Sequence, residues 1–306
     1  MKALLRQLIG IVASLLVVSF ITFVVISNMP SDPVEIAIRA WNLAATDETV
    51  AALRQDWGLN RPFFQRYSSW LLGFIKGDWG HSFQSGLPVF NEFLERFPVS
   101  FTLGFGGLGF AILVAIPLGF FAALTPGGAT DRAGRILSVF VQTVPAFWSG
   151  LLLLWILGAK LHWIRPFAQD INAYALAIFL IAIHSTAVFA RVYRKALREF
   201  SMEPYFATAL SKGLTRRQAF WRHGNKAALF SLLTAVHSEA GWVLGGTATM
   251  EILFNFPGIS QFLVQSIEAR DQMILQAYVM VAALWMVAIS ILVKITQQVL
   301  DPRIGS

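Results

Sequence analysis

The residue types that most often carry out chemistry are few and scattered in this sequence. Its five histidines stand at positions 81, 162, 184, 223 and 237, with no His-Glu-x-x-His or other close ligand spacing around them. There is no cysteine, so disulfide bonds and thiolate metal ligands are excluded. We therefore expect neither a catalytic site nor a metal site in this chain.

Of two nucleotide-binding patterns, the sequence contains one and lacks the other. Gly104, Gly106, Gly107 and Gly109 match G-x-G-x-x-G, but a dinucleotide site needs that pattern between a strand and a helix. Here it lies inside an apolar run, where small residues favour close packing of helices. The P-loop pattern G-x-x-x-x-G-K-[ST] does not occur. The chain is thus expected to hold no cofactor, and any ATP must be hydrolysed by a partner.

Glu239 is an acidic residue inside an apolar run, and His237 precedes it by two residues. A carboxylate in hydrocarbon is costly and usually faces a cavity or a partner. One interpretation is a solute path lined by Glu239 and His237, with Trp242 and His184 as further candidates. The other is that Glu239 contacts a helix of another subunit and fixes assembly.

Composition indicates that a bilayer is the solvent for most of the chain. Of the 306 residues, 56% are hydrophobic and only 13% are charged, a balance that a water-soluble domain would hardly tolerate. A helix needs about 20 apolar residues to cross roughly 30 Å of hydrocarbon. Six such runs occur, at about 8–28, 99–124, 136–159, 171–190, 227–250 and 274–293. We predict an all-α membrane protein with six transmembrane helices in a single domain, 1–306.

Charge predicts the orientation. The segment 191–226 holds nine Lys/Arg against two Glu, whereas 30–98 holds six Lys/Arg against eight Asp/Glu. Because positive residues stay on the cytoplasmic side, 191–226 and both termini are predicted inside, and 30–98 outside as short helices. The basic strip lies a few residues from two spans, so topology explains it better than nucleic-acid binding.

A short helix is predicted inside this basic segment. Pro204 stands near its start and Gly213 at its stop, which are the positions that proline and glycine favour. A second basic, amphipathic stretch runs from Thr215 to Lys226. We expect a helix lying across the cytoplasmic face between the fourth and fifth spans.

These residues also carry a family resemblance. The stretch Tyr205-Phe-Ala-Thr-Ala209-Leu-Ser-Lys212-Gly213-Leu214, followed by Arg222-His223, resembles the coupling segment of ATP-binding-cassette importer permeases of the dipeptide, oligopeptide and nickel family. Supporting stretches follow in order along nearly the whole chain, among them Trp57-Gly58-Leu59-Asn60-Arg61-Pro62, Gly77-Asp78-Trp79-Gly80-His81-Ser82-Phe83, Glu251-x-x-Phe254-x-x-Pro257-Gly258 and Ala269-Arg270-Asp271.

The resemblance implies a type I importer permease fold with a cytoplasmic coupling helix in a bacterial inner membrane. It implies a second, homologous permease as heterodimer partner, two ATPase subunits that bind ATP and Mg, and an external solute-binding protein. The residues expected to couple to an ATPase are Glu203, Pro204, Tyr205, Ala209, Lys212, Gly213 and Leu214. Ala207 and Ser231 depart from the broader superfamily pattern, which leaves the docking contacts open.

The solute is less well defined than the class of protein. Peptides, nickel complexes and other metal chelates all pass through permeases of this likeness. A proton-coupled secondary transporter is the alternative, since such carriers also place an acid such as Glu239 in mid-membrane. An intramembrane enzyme lacks a nucleophile–base pair in the spans. The sequence favours the importer permease.

Overall fold

The computed structural model describes residues 2–30, 32–165 and 167–300, with backbone but not side chains for 2–7, 242–246 and 300. These residues are helical and contain no β-strand, and one isolated antiparallel bridge joins His81 and Pro88. The all-α prediction is thereby confirmed for the part described. The chain divides into two compact units. Unit 1 comprises the residues before Val99 together with Pro257–Ala288, and unit 2 comprises Val99–Phe256 with the residues that follow Ala288.

The described residues form thirteen α-helices. In chain order they are α1 (Lys2–Ser27), α2 (Pro33–Ala40), α3 (Asp47–Asp56), α4 (Phe63–Lys76), α5 (Val89–Leu124), α6 (Ala129–Thr143), α7 (Ala146–Leu154), α8 (Ile171–Phe200), α9 (Pro204–Ser211), α10 (Arg216–Ala219), α11 (Asn225–Phe254), α12 (Ile259–Glu268) and α13 (Gln272–Leu300). A π-helical segment, Trp155–Lys160, continues α7, and another, Phe220–Gly224, joins α10 to α11. The stretch 30–98 contains the expected short helices, α2 to α4.

Four helices are long and apolar enough to cross a membrane, and they match the first, second, fourth and sixth predicted spans. They are Leu8–Ser27 in α1, Val89–Leu124 in α5, Ile171–Phe200 in α8 and Gln272–Val299 in α13. The predicted limits at 99 and 190 were wrong, because α5 starts at Val89 and α8 ends at Phe200. Charged residues end an apolar run, but Arg, Lys, Glu and Leu are good helix formers, so the helix continues beyond it.

The third predicted span, 136–159, is not one straight helix. Residues Ala129–Thr143 and Ala146–Lys160 form two helical segments that meet at an angle of 98°. Pro145 has no backbone N–H and disfavours helical conformation in the residue before it, and Val144 is accordingly extended (φ −98°, ψ 119°). The prediction of one uninterrupted helix was therefore wrong, because Pro145 separates the two segments.

The fifth predicted span, 227–250, lies within α11. This helix ends at Asn255, whose left-handed backbone (φ 54°, ψ 43°) closes the last turn. The side chains of residues 242–246 lie outside those that the structure describes. The backbone of α11 is long enough for a crossing, at thirty residues.

Close helix contacts in unit 2 depend on the glycines of α5. A Cβ atom on Gly107 would lie 2.5 Å from Cγ2 of Ile181, and one on Gly119 would lie 2.7 Å from the carbonyl oxygen of Ala190. Both distances are too short for a carbon atom, so the absent side chains allow α5 to approach α8. The helix-packing interpretation of the G-x-G-x-x-G pattern is confirmed, since the pattern lies within a helix.

Two apolar clusters form the core of unit 2, at opposite halves of α8. The basic-end cluster surrounds the second half of α8 and includes Phe189, Tyr193, Leu197, Phe206 and Phe220. The far-end cluster surrounds the first half and includes Leu103, Leu176, Ile181, Phe254 and Phe256. Unit 1 has its own core, built from residues such as Phe23, Trp70, Phe93, Phe262 and Ile274. The short helices α9 and α10 are therefore attached to the basic-end cluster.

Candidate functional site

The start of α9 follows from two adjacent residues. Pro204 occupies the first helical position, where its missing N–H costs nothing and its fixed φ suits the helix. Glu203 precedes it with an extended backbone (ψ 144°) and makes no capping hydrogen bond through its side chain. The predicted helix start at Pro204 is confirmed.

The end of α9 is a complete Schellman motif. Gly213 has a φ of +84°, a conformation that strains any residue with a Cβ atom. Its N–H donates to the carbonyl of Leu210 (2.9 Å), and the N–H of Leu214 donates to the carbonyl of Ala209 (3.2 Å). The predicted stop at Gly213 is thus confirmed. The last helical residue is Ser211, and Lys212, predicted to lie in the helix, is the C-cap.

One face of α9 is fixed in the basic-end cluster. Phe206 and Ala209 are buried, at 8% and 5% exposure. The ring of Phe206 lies 5.7 Å from that of Phe200, at the end of α8, and 5.3 Å from that of Phe220, just before α11. Aromatic contacts at these distances give packing energy beyond area burial alone. The helix is therefore held against the ends of both long helices.

The opposite face of α9 is open. Tyr205 is 57% exposed and Leu210 40%, while Ala207 and Lys212 are exposed as well. The hydroxyl of Tyr205 lies 3.4 Å from Nδ1 of His223, a residue of the segment that leads into α11. A short helix with one buried and one open face offers a surface that a partner can grip.

The turn between α5 and α6 lies at the same end of unit 2. Asp131, in the first turn of α6, is only 2% exposed and forms an ion pair with Arg194 of α8, with Oδ1 and Nε 2.7 Å apart. The N–H of Gly127 donates to its other carboxylate oxygen at 2.8 Å. This contact places Arg132 and Arg135, which share the start of α6 with Asp131, near the end of α8.

The structure describes the side chains of three of the four solute-path candidates, His237, Glu239 and His184. Nε2 of His237 lies 2.9 Å from the hydroxyl oxygen of Ser290 in α13. Glu239 is two positions further along α11, about 200° around a helix of 3.6 residues per turn, so the two side chains leave on opposite faces. His184 is half-buried on α8 and has interaction partners. The side chain of Trp242 lies outside the described residues.

Glu239 retains one notable property. Its Oε2 atom is buried and has no hydrogen-bond partner within the described part of the chain. Buried carboxylate oxygens nearly always have partners, so an unmatched one indicates a group outside the described residues. Both a solute and a second subunit would meet that need, so the two interpretations of Glu239 stay open.

A buried polar pair, Ser100 and Glu251, lies in the far half of unit 2 and was not among the predicted site residues. Glu251, at the end of α11, is completely buried, and the hydroxyl of Ser100 in α5 donates to its Oε1 at 2.8 Å. In the sequence, Glu251 is part of one of the stretches that carry the family resemblance. Glu251 directly follows the apolar run 227–250, and this position is the sequence signal that its carboxylate lies close to the core.

The comparisons with known families agree with this architecture. The family described as the binding-protein-dependent transport system inner membrane component matches residues 115–306. A second family, which describes the N-terminal part of the same membrane components, matches residues 1–104. Together the two matches cover both units.

Curated relatives match this chain over almost their full length. The glutathione transport system permease protein GsiC of Pectobacterium atrosepticum is 31% identical over 301 residues, covering 98% of this chain and 97% of the relative. The proteins of the same name from Salmonella typhimurium and from Escherichia coli K12 are 29% and 27% identical, with the same coverage.

These matches confirm the family, the non-catalytic role and the membrane location that the sequence predicts. Components of this family do no chemistry themselves; ATP and Mg are bound by ATPase partners, and the family works with a binding protein and a second permease. Within the described residues no three histidine, cysteine or acidic side chains stand close enough to hold a metal ion. The chain belongs to the binding-protein-dependent transport system inner membrane component family, as a multi-pass permease subunit of an ATP-binding-cassette importer.

Proposed function

We propose that this permease moves small peptides across the inner membrane, with α9 as the coupling helix that receives the movement of an ATPase. The observation that carries the coupling role is the seat of α9: Phe206 and Ala209 are buried against α8 and α11, and the opposite face is open. A helix fixed to two long helices moves them when it is moved. ATP binding by the partner then shifts which side of the membrane is open.

Support for a peptide solute comes from the relatives. Their printed names assign them glutathione, which is itself a small peptide. Nickel and other metal chelates, the competing solutes, have no such support. We therefore place peptides first and use metal chelates as competitors in the uptake assay.

The proposed topology has six crossings with both termini in the cytoplasm. In it, α1, α5, α8, α11 and α13 each cross once, and the bent pair α6–α7 supplies the third crossing. The basic segment 191–226 then lies inside. The ion pair between Asp131 and Arg194 supports this arrangement, because it joins the α5–α6 turn to the end of α8.

The assembly that we propose contains one copy of this chain, one homologous permease, two ATPases and one binding protein. An open face on α9 and an unmatched carboxylate at Glu239 are consistent with subunits on two different sides of the chain. Native mass spectrometry of the purified complex measures this stoichiometry. Two copies of this chain in one complex would contradict the heterodimer.

Reconstituted uptake tests the function. The purified complex in proteoliposomes, with its binding protein, is expected to accumulate a labelled peptide only when ATP is supplied, and excess nickel chelate should not compete. A proton gradient without ATPase subunits should drive no uptake. Uptake under that gradient would instead establish a secondary transporter.

Site-directed labelling tests the coupling surface and the topology together. The chain has no cysteine, so each introduced thiol is unique. Ser211→Cys, on the open side of α9, is expected to crosslink to an ATPase and to react only with reagents added from the cytoplasm. Ser68→Cys, an exposed position on α4, is the matched control and should react only from outside. A reversed pattern of labelling would overturn the proposed orientation.

A further inference from the structure

Unit 1 contains a cavity that no part of the proposed function uses. Its volume is about 210 Å³, and it lies between α1, α4, the loop around Asp78 and the first turns of α13. A water molecule takes up about 30 Å³, so the space corresponds to about seven waters, or to one amino-acid-sized group. The cavity is large enough for a ligand and small enough to select one.

A cation without a partner lines this cavity. Arg66 of α4 is half-buried, and no carboxylate in the described residues lies within ion-pairing distance of it. Burial lowers the pKa of Arg66, because a desolvated charge is disfavoured and no nearby anion offsets that loss. The Cζ atom of Arg66 lies 6.0 Å from the centroid of the Phe23 ring. Arg61 lies at the exposed edge of the cavity and has no ion pair among the described residues.

Two uncharged polar groups in the same wall are also unmatched. The indole N–H of Trp70 and the side-chain carbonyl oxygen of Gln276 are buried and have no hydrogen-bond partner among the described residues. The two residues are 8% and 3% exposed, and both line the cavity. Buried polar groups are nearly always paired, and a rotation of either side chain toward the space would offer its unmatched atom to a ligand there.

The chemistry of these groups defines the ligand. Guanidinium binds carboxylate through two parallel N–H bonds, and an indole N–H can only donate. The Gln276 carbonyl accepts, which suits an amide or ammonium N–H. Trp57 and Phe83, whose rings lie 4.5 Å apart, offer an apolar wall. The carboxylate of Asp78 also lines the space, but it is exposed and accepts from the N–H of Gly80 at 3.1 Å.

We propose that this cavity binds a carboxylate carried by an amino-acid-like group, with Arg66 as the anion ligand and Trp70 and Gln276 as hydrogen-bond partners. The group is either the end of a free peptide or an acidic side chain of the docked binding protein. The site needs neither ATP nor transport, so it stands or falls separately from the proposed function.

Calorimetry on the purified full chain in lipid nanodiscs tests the site. Glycylglycine is the probe, and glycylglycinamide, which differs only in its uncharged end, is the matched control. We expect saturable binding of glycylglycine and at least tenfold weaker binding of the amide. Arg66→Gln should weaken glycylglycine at least tenfold, whereas Arg39→Gln, which removes an exposed arginine of α2, should not change it.

Two further variants test the same site if Arg66→Gln folds poorly. Arg66→Lys keeps the charge but loses the planar fork and should bind with intermediate affinity. Gln276→Leu should weaken glycylglycine several-fold while leaving the preference for the carboxylate over the amide.

The source of the carboxylate is resolved by a second titration, with the isolated binding protein in place of glycylglycine. If glycylglycine gives no heat but the binding protein binds, and Arg66→Gln alone weakens it tenfold, the carboxylate belongs to the binding protein and the site stands. If neither titrant responds to Arg66→Gln or Arg66→Lys, the cavity is not a carboxylate site.

Discussion

The two ends of unit 2 are built on the same long helices but differ in how they hold their charged groups. At the basic end, the cluster under α9 is apolar, the charged side chains around α9 and α10 are exposed, and the buried carboxylate of Asp131 is paired with Arg194 of α8. At the far end, a carboxylate is inside: Glu251 is fully buried and held by Ser100. The comparison teaches that the basic end is organised to present a surface, and the far end to hold two helices in fixed register.

The largest expected effect is a charge placed under α9. Ala209→Asp buries a carboxylate with no partner in the basic-end cluster, which costs several kcal/mol. We therefore expect α9 to lose its packing against this cluster. We expect ATP-driven uptake to fall about a hundredfold, since each 1.4 kcal/mol is about a factor of ten. Uptake and membrane content are measured together, with Ala44→Asp, at an exposed position, as control. Normal uptake by Ala209→Asp would refute the coupling role of α9.

The two apolar clusters should differ in function rather than in strength. Phe220→Ala and Phe256→Ala each remove a fully buried ring and should each lower the free energy of unfolding by about 3–5 kcal/mol. Only Phe220→Ala, under α9, should also reduce ATPase stimulation by solute per folded complex. Thermal unfolding in detergent and ATPase assays give both quantities. Equal loss of stimulation in the two variants would remove the distinction between the ends.

The buried carboxylate gives a smaller effect. Glu251→Ala leaves the hydroxyl of Ser100 without its acceptor, and an unsatisfied buried group costs about 1–3 kcal/mol. Glu199→Ala, at the basic end, breaks an exposed ion pair with Lys195 and should change stability by at most about 0.5 kcal/mol. The two changes in unfolding temperature are compared in detergent. A loss for Glu199→Ala as large as that for Glu251→Ala would contradict the contrast in burial.

The smallest expected effect concerns a single backbone conformation. Gly213→Ala and Gly127→Ala both place a Cβ atom in open space at positive φ, +84° and +74°, and both should cost about 1–2 kcal/mol. Gly213 ends α9 and Gly127 does not, so only Gly213→Ala should raise the ATP concentration needed for half-maximal uptake. Matching behaviour in the two variants would show that the stop of α9 has no special role.

Local signals in the sequence predicted the elements that are built from neighbouring residues. Pro204 and Gly213 gave the start and stop of α9, because each acts through its own backbone. Pro145 carries an equally local signal, but it lies within one continuous apolar run, and the run predicts a single span where the structure has a bend of 98°. Hydropathy reports where a chain is apolar, and it does not report where a helix is straight.

Contacts between distant residues could not be predicted in the same way. Ser100 and Glu251 are separated by 151 positions, and nothing near either residue identifies the other. Arg66 and Gln276 line one cavity from different helices of unit 1. The candidate coupling surface was therefore predictable, whereas the buried carboxylate and the cavity required the fold.

The π-helical segment Phe220–Gly224 gives α11 a way to turn as well as to tilt. A π-turn contains one residue more than the α-helical turn that it replaces. If that residue were passed along the helix, the residues between its old and its new position would rotate by about 100° about the axis, since an α-helix has 3.6 residues per turn. In the proposed coupling, a partner that moved the segment between α10 and α11 would thus rotate part of α11 as well as tilt it.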